Sequence, residues 1–196
     1  MKIVGITGGV GSGKSEVLRY LEEKHGASVC RADEVGRELQ QEGTACYDSI
    51  VAEFGDEILE ENGKINRAKL SAIVFDNPDR LAALNAIVHP AVEERVKQLK
   101  EEAQSQGKSL FVLESAILIE AGYEDFCDEI WYIYASDEVR TRRLRFFRGY
   151  SEEKTQSVIR AQKTREEYME QSDRVIDNSR SFEETCAQLE HILDKL

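Results

Sequence analysis

The sequence predicts an α/β fold: a parallel five-stranded sheet with helices on both faces. Three observations carry this. Short apolar segments at 2–7, 28–31, 109–114, 129–135 and 174–177 are rich in Ile, Val, Leu and aromatics. The stretches between them are too long for hairpin turns and carry apolar residues at helical spacing, which implies parallel strands covered on both sides. A glycine-rich turn follows the first segment directly and opens a helix.

Taken in order, residues 14–24 place Val17, Leu18 and Leu21 on one helical face. The stretch between the second and third strands is far too long for a single crossover helix. Within it a helix over 67–75 follows Asn66 as N-cap and stops at Asn77-Pro78. Leu81, Leu84, Ile87 and Val88 form a second stripe, which His89-Pro90 is expected to interrupt before Val92, Val96 and Leu99 resume it. The last helix opens on Ser181-Phe182-Glu183-Glu184, a capping-box pattern, and carries Leu189, Ile192, Leu193 and Leu196. The expected organisation is one domain over 1–196. Residues 1–33 and 109–196 form the core, with a helical lid at about 140–165, and about 34–108 form an inserted helical lobe.

Hydrophobic residues make up 41% and charged residues 33% of the 196, the composition of a soluble globular chain. No apolar run approaches the ~20 residues that cross a bilayer, and Met1-Lys2-Ile3-Val4 enters a strand without a signal-peptide layout. These features point to the cytoplasm. A net charge of −12 repels phosphate polymers and argues against nucleic-acid or membrane partners. Cys30, Cys46, Cys127 and Cys186 lack the clustering of a zinc site or disulfide framework and read as ordinary thiols.

Gly8-Gly9-Val10-Gly11-Ser12-Gly13-Lys14-Ser15 satisfies G-x-x-x-x-G-K-[ST] between an apolar strand and an amphipathic helix, so the sheet is of the P-loop NTPase type. Glycines let the backbone turn its N–H groups around phosphates, and the helix N-terminus adds partial positive charge. Lys14 can reach the β- and γ-phosphates, and the Ser15 hydroxyl can ligate a bridging Mg²⁺. Asp33-Glu34-Val35-Gly36 matches the D-x-x-G of GTPases, but no Asn-Lys-x-Asp follows to read guanine.

Asp33 falls at the carboxyl edge of the second strand, where it could take a proton from an acceptor hydroxyl or cap the helix beginning at Glu34. Glu114 closes the third strand and could hold Mg²⁺ through water or stand as an exposed strand end. Arg140, Arg142, Arg143, Arg145 and Arg148 cannot all face one way on a helix; some form a solvated face, others could close over ATP, with Gly149 as a hinge.

Together these residues resemble the dephospho-CoA kinase family along nearly the whole chain. The resemblance runs through Ile6–Ser15, Ala32-Asp33, Phe54-Gly55 with Ile58-Leu59, Gly63 with Asn66-Arg67 and Leu70, His89-Pro90, Leu118 with Glu120, Arg143, Gln162 and Ile176-Asp177-Asn178. It implies ATP-dependent phosphorylation of the ribose 3′-hydroxyl of dephospho-CoA, the last step of coenzyme A biosynthesis, with Mg²⁺. Asp33, Lys14 and Arg143 would be catalytic. Gly9, Val10, Gly11, Ser12, Gly13, Lys14, Ser15, Glu16, Arg143 and Arg148 would bind ATP, while Asp33, Arg67 and His89 would lie on the acceptor side, His89 with Pro90 more as a structural residue than as a substrate contact. Ser15 would hold the metal, joined by Glu114 on its reading as a strand-end acid that holds Mg²⁺ through water. The chain departs from the family pattern at Glu16 (usually Thr), at Arg31 (usually Asp) and at Ala116 (usually Pro). Alternative readings are another small-molecule or nucleoside monophosphate kinase of this fold, and an ATP-binding module that no longer transfers phosphate.

Overall fold

The computed structural model describes residues 1–195 except Ala116, Glu120 and Ala121; those three and Leu196 lie outside the described residues, and with them the Ala116 departure and the Glu120 match. The chain divides into two compact units, Met1–Cys30 with Ala103–Leu196, and Arg31–Glu102.

The first unit is built on the sheet. Its strands are β1 (Lys2–Thr7), β2 (Ser28–Arg31), β3 (Leu110–Glu114), β4 (Glu129–Tyr134) and β5 (Arg174–Asp177), each within one residue of its expected bounds. Their spatial order is β2-β3-β1-β4-β5. β1 pairs in parallel with β3 (Ile6 opposite Glu114) and with β4 (Thr7 opposite Tyr132), and β4 pairs with β5. With β3 and β4 on opposite sides of β1, the strand order reverses at β1. A crevice at the carboxyl ends is the usual ligand position in such a sheet.

Successive side chains on a strand face opposite ways, and both faces are filled here. Val4, Ile6, Leu110, Val112, Trp131, Ile133 and Ile176 form one buried layer with Val17, Leu18 and Leu21 of helix α1 (Lys14–His25) and Leu189 of the last helix. Each such side chain contributes about 1.5–3 kcal/mol on leaving water. On the other face Phe111, Leu113, Ile130 and Tyr132 are buried, and Tyr132 stacks on Tyr168 at 4.7 Å between ring centroids. The four cysteines are free thiols, and burial pushes the Cys127 thiol up to about 12, so it stays protonated and inert.

In the second unit, α2 (Ala32–Glu38), α3 (Ala45–Phe54), α4 (Arg67–Phe75) and most of α5 (Pro78–Ser105) surround their own core of Cys46, Ile50, Phe54, Ile58, Leu70 and Val74. Asn66 caps α4 as expected, its Oδ1 accepting from the Lys69 N–H at 3.0 Å. Two expectations fail here. His89-Pro90 does not interrupt the helix, because α5 runs unbroken through Pro90. Proline removes one N–H from the ladder, and the bonds on either side hold the helix together. Leu81 is 43% exposed, while Leu84, Ile87 and Val88 do pack on the core.

The first unit closes with α6 (Asp137–Arg148), α7 (Glu152–Arg160), α8 (Arg165–Glu170) and α9 (Phe182–Leu193). Ser136, Ser151, Thr164 and Ser181 each cap the helix that follows through their hydroxyl oxygen. α6 ends on Gly149 in the left-handed conformation.

Candidate functional site

The loop between β1 and α1 is held from outside by its carbonyls. Arg143 donates to the Gly11 and Ser12 carbonyls at 3.3 and 3.1 Å and, through its other terminal nitrogen, to the Asn178 carbonyl at 3.0 Å. Asn178 is fully buried; its Nδ2 donates to the Ser12 carbonyl at 2.8 Å, and its Oδ1 accepts from the Thr185 hydroxyl at 3.0 Å. Peptide carbonyls turned outward leave the N–H groups of the same turn to line its concave side, which is what an anion cradle requires. Burial lowers the Arg143 pKa; Glu16 opposes that shift and Arg142 adds to it.

Three glycines in this turn have positive φ: Gly8 at 147°, Gly11 at 83° and Gly13 at 93°. Gly13 is the N-cap of α1, and a Cβ there would overlap the Asn178 amide. At Gly8 a Cβ would lie 2.5 Å from the Ile133 carbonyl oxygen. The glycines are therefore fixed by backbone conformation and by close approach from β4 and from Asn178.

Lys14 folds back over the turn. Its Nζ donates to the Gly8 carbonyl at 2.6 Å and lies 3.6 Å from Glu114 Oε1, with both side chains 14% exposed. Glu114 reaches this position because β3 sits beside β1 in the register that sets it opposite Ile6. Its reading as an exposed strand end is therefore corrected. Ser15 is exposed in the first turn of α1. Glu16 follows it, with Oε1 4.0 Å from Arg19. Ser12 Oγ is buried and has no hydrogen-bond partner among the described residues.

Of the arginine cluster, Arg140 and Arg143 share one face of α6 and touch the loop, as their i, i+3 spacing allows. Arg142, Arg145 and Arg148 are exposed. The contact of Arg140 with Val10, and those of Asn178 and Thr185 behind the loop, were not read from the sequence. An asparagine at the carboxyl end of a strand beside the loop is the signal that could have found them.

Asp33, Arg67 and His89 belong to the other unit. Asp33 is exposed in the first turn of α2, whose N-cap is Arg31 in an extended conformation, so its reading as the cap of a helix starting at Glu34 is corrected. Arg67 opens α4 and lines a cavity of about 520 Å³ with Arg37, Gln40, Glu42 and Lys64. His89 is exposed on α5.

Among the described residues no group of three or more His, Cys, Asp or Glu side chains could hold a metal ion unaided. The donors near the cradle are instead a hydroxyl (Ser15) and a carboxylate (Glu114). Such a sparse hard-oxygen set suits a Mg²⁺ that takes its remaining ligands from substrate phosphates and water. Among the described residues no helix is long and apolar enough to cross a membrane.

A parallel sheet reversing at β1, with an eight-residue glycine-and-lysine cradle at that strand's carboxyl end, defines a P-loop kinase-type nucleotide-binding fold. Residues 2–184 match the profile of the dephospho-CoA kinase family. The chain is 40% identical to the dephospho-CoA kinase of Carboxydothermus hydrogenoformans over 100% of its own length and 94% of the relative. It is 42% identical to that of Geobacillus kaustophilus over 97% and 94%. Among solved structures, TT1252 from Thermus thermophilus superposes with a TM-score of 0.81 at 31% identity, covering 100% of this chain and 97% of that one. The chain belongs to the dephospho-CoA kinase family.

Proposed function

We propose that the chain transfers the γ-phosphoryl group of ATP to the ribose 3′-hydroxyl of dephospho-CoA, giving CoA and ADP, the last step of coenzyme A biosynthesis. The observation that carries this reading is the family match over residues 2–184 joined to an intact cradle in which Lys14 stands over the Gly8 carbonyl. Phosphoryl transfer asks a protein mainly to position its reactants and to neutralise charge on the moving group.

Loop N–H groups and the α1 N-terminus hold the phosphates, with Lys14 on the β- and γ-oxygens. Mg²⁺, held by the Ser15 hydroxyl and through water by Glu114, would neutralise charge on the β- and γ-phosphates. Asp33 is the general base that takes the proton of the acceptor hydroxyl. Arg143 braces the cradle from behind, with Arg148 reaching phosphate from the lid, and Arg67 and His89 serve the acceptor. Glu16 carries a backbone N–H into the first turn of α1, whatever its side chain. Cytoplasmic location fits an enzyme that draws on the ATP pool.

Incubating the pure protein with ATP, Mg²⁺ and dephospho-CoA should yield CoA by mass spectrometry. Preference for a nucleoside monophosphate over dephospho-CoA in a competing-acceptor ADP-release assay would overturn the substrate assignment. Asp33→Ala should lower kcat by about 10²–10⁴-fold, the contribution of a positioned base, with the KM for ATP little changed. Equal losses in both would show the carboxylate to be structural.

A further inference from the structure

Two donors converge on one oxygen at the loop. The Val10 N–H donates to Gln162 Oε1 at 3.0 Å, and a terminal nitrogen of Arg140 donates to the same atom. Arg140 also grips Val10 from its other side, Nε donating to the Val10 carbonyl at 3.0 Å, while its remaining nitrogen meets Asp137 Oδ1 at 3.0 Å. The Arg140 side chain is only 10% exposed, so its guanidinium is fixed before any ligand arrives. A backbone N–H and a guanidinium aimed at a single acceptor are the donors that hold a phosphoryl oxygen. An amide oxygen is the neutral substitute.

The position along the loop identifies which phosphoryl group. The helix N-terminus at Gly13–Ser15 takes the inner phosphates, whereas a P-loop lysine reaches the outer ones. Lys14 Nζ lies at the Gly8 carbonyl, so the Gly8–Val10 half of the loop is the γ end. Gly9 fits this account. A Cβ at Gly9 would fall 2.6 Å from the Arg140 terminal nitrogen and 2.8 Å from Gln162 Oε1, so a side chain would occupy the point where the donors meet. Gln162 lies between α7 and α8 and, with Arg140, borders a cavity of about 500 Å³ that Tyr132, Tyr134 and Arg165 also line. The cavity gives the amide room to withdraw.

We propose that the Val10 N–H and Arg140 form an oxyanion subsite for the transferring phosphoryl group, and that Gln162 Oε1 is a placeholder kept there until ATP displaces it. The inference rests on the ATP-dependent kinase reading. In the step it serves, the acceptor oxygen bonds to the γ-phosphorus, the bond from that phosphorus to the ADP oxygen breaks, and the acceptor proton passes to the base. Arg140 stays protonated throughout and neutralises a non-bridging oxygen, as an arginine supplied within the chain does in related phosphoryl transfers.

The test compares ADP with the β,γ-imido analogue of ATP by titration calorimetry on the full chain. Gln162→Glu places a tethered anion on the donors. It should weaken the triphosphate analogue by about tenfold or more through like-charge competition, leave ADP within about twofold, and not lower Tm. Gln162→Met, which lacks the competing oxygen, should bind the analogue at least as tightly as the unmodified chain and serves equally if the glutamate variant misfolds. Equal losses for both nucleotides, unchanged affinity for both in Gln162→Glu, or weaker analogue binding in Gln162→Met would overturn the proposal. No acceptor is present in these titrations, so a chain that bound nucleotide but made no CoA would refute the proposed reaction and leave the subsite standing.

Discussion

At the scale of single residues, the loop sets neighbouring positions apart sharply. Gly13 holds a φ of 93° with the Asn178 amide against it, and an alanine there must accept a left-handed conformation that costs about 1–2 kcal/mol and also displace a buried amide. That amide is one of the donors fixing the Ser12 carbonyl, so its displacement loosens the cradle. Gly13→Ala should therefore lower stability by at least about 1–2 kcal/mol and raise the KM for ATP. Ser12, one residue earlier, behaves oppositely. Its hydroxyl is buried without a partner among the described residues, and removing an unsatisfied polar group is nearly neutral or stabilising. Ser12→Ala should keep its Tm and its KM for ATP. Thermal melts and ATP titrations on the two variants check both; a Ser12→Ala chain that melts lower would mean the hydroxyl is bound in solution to a group such as water.

At the scale of elements, what could be read from the sequence was what neighbours along the chain decide. β1, β2 and β5 fall at their expected bounds, and α4 starts after its Asn66 cap, because strand composition and capping are local chemistry. The glycine-and-lysine turn is local in the same way. The contacts that brace it are not: Arg140 meets Val10 across 130 positions, Gln162 across 152, and Asn178 meets Ser12 across 166. No periodicity encodes such pairs; they follow from the strand order, which sets β4 and β5 on one side of β1. Pro90 shows the converse error, where a strong local rule gave way to the helix around it. That rule still has an energetic consequence. Proline in a helix interior is about 3 kcal/mol less favourable than alanine, offset by up to about 1 kcal/mol because it stiffens the unfolded chain. Since Pro90 is exposed on α5, Pro90→Ala fills no tight space and should raise stability by about 1–3 kcal/mol, read as a higher denaturation midpoint in urea. A lower midpoint would mean that the helix depends on the ring.

At the scale of the whole molecule, the sheet-bearing unit carries its own acid sensitivity. The Tyr20 hydroxyl donates to Glu190 Oε1, and His25 Nε2 lies 2.9 Å from the same oxygen, tying α1 to α9. The Tyr20 hydrogen bond is the largest influence on the Glu190 carboxyl; with the His25 hydrogen bond and charge it outweighs the opposing effect of burial and holds the group below its ordinary range. At Glu129 burial acts to raise the pKa, but hydrogen bonds from Trp131 and Arg174 and the charge of Lys2 reverse it, so this carboxyl too is lowered. A carboxyl with a depressed folded-state pKa binds fewer protons folded than unfolded. Its stabilisation is complete above the unfolded value of about 4.3 and is lost as pH falls through the lower folded value. Stability of this unit should therefore hold from neutral pH to about 5 and decline below about 4. The chain has one tryptophan, Trp131, fully buried in this unit, so its fluorescence follows this unit's unfolding. Glu190→Gln should melt below the unmodified chain at pH 7, with the gap closing as pH is lowered past about 4. A gap of constant size across that range would mean that Glu190 stabilises the α1–α9 contact through packing and hydrogen bonding, independently of its charge.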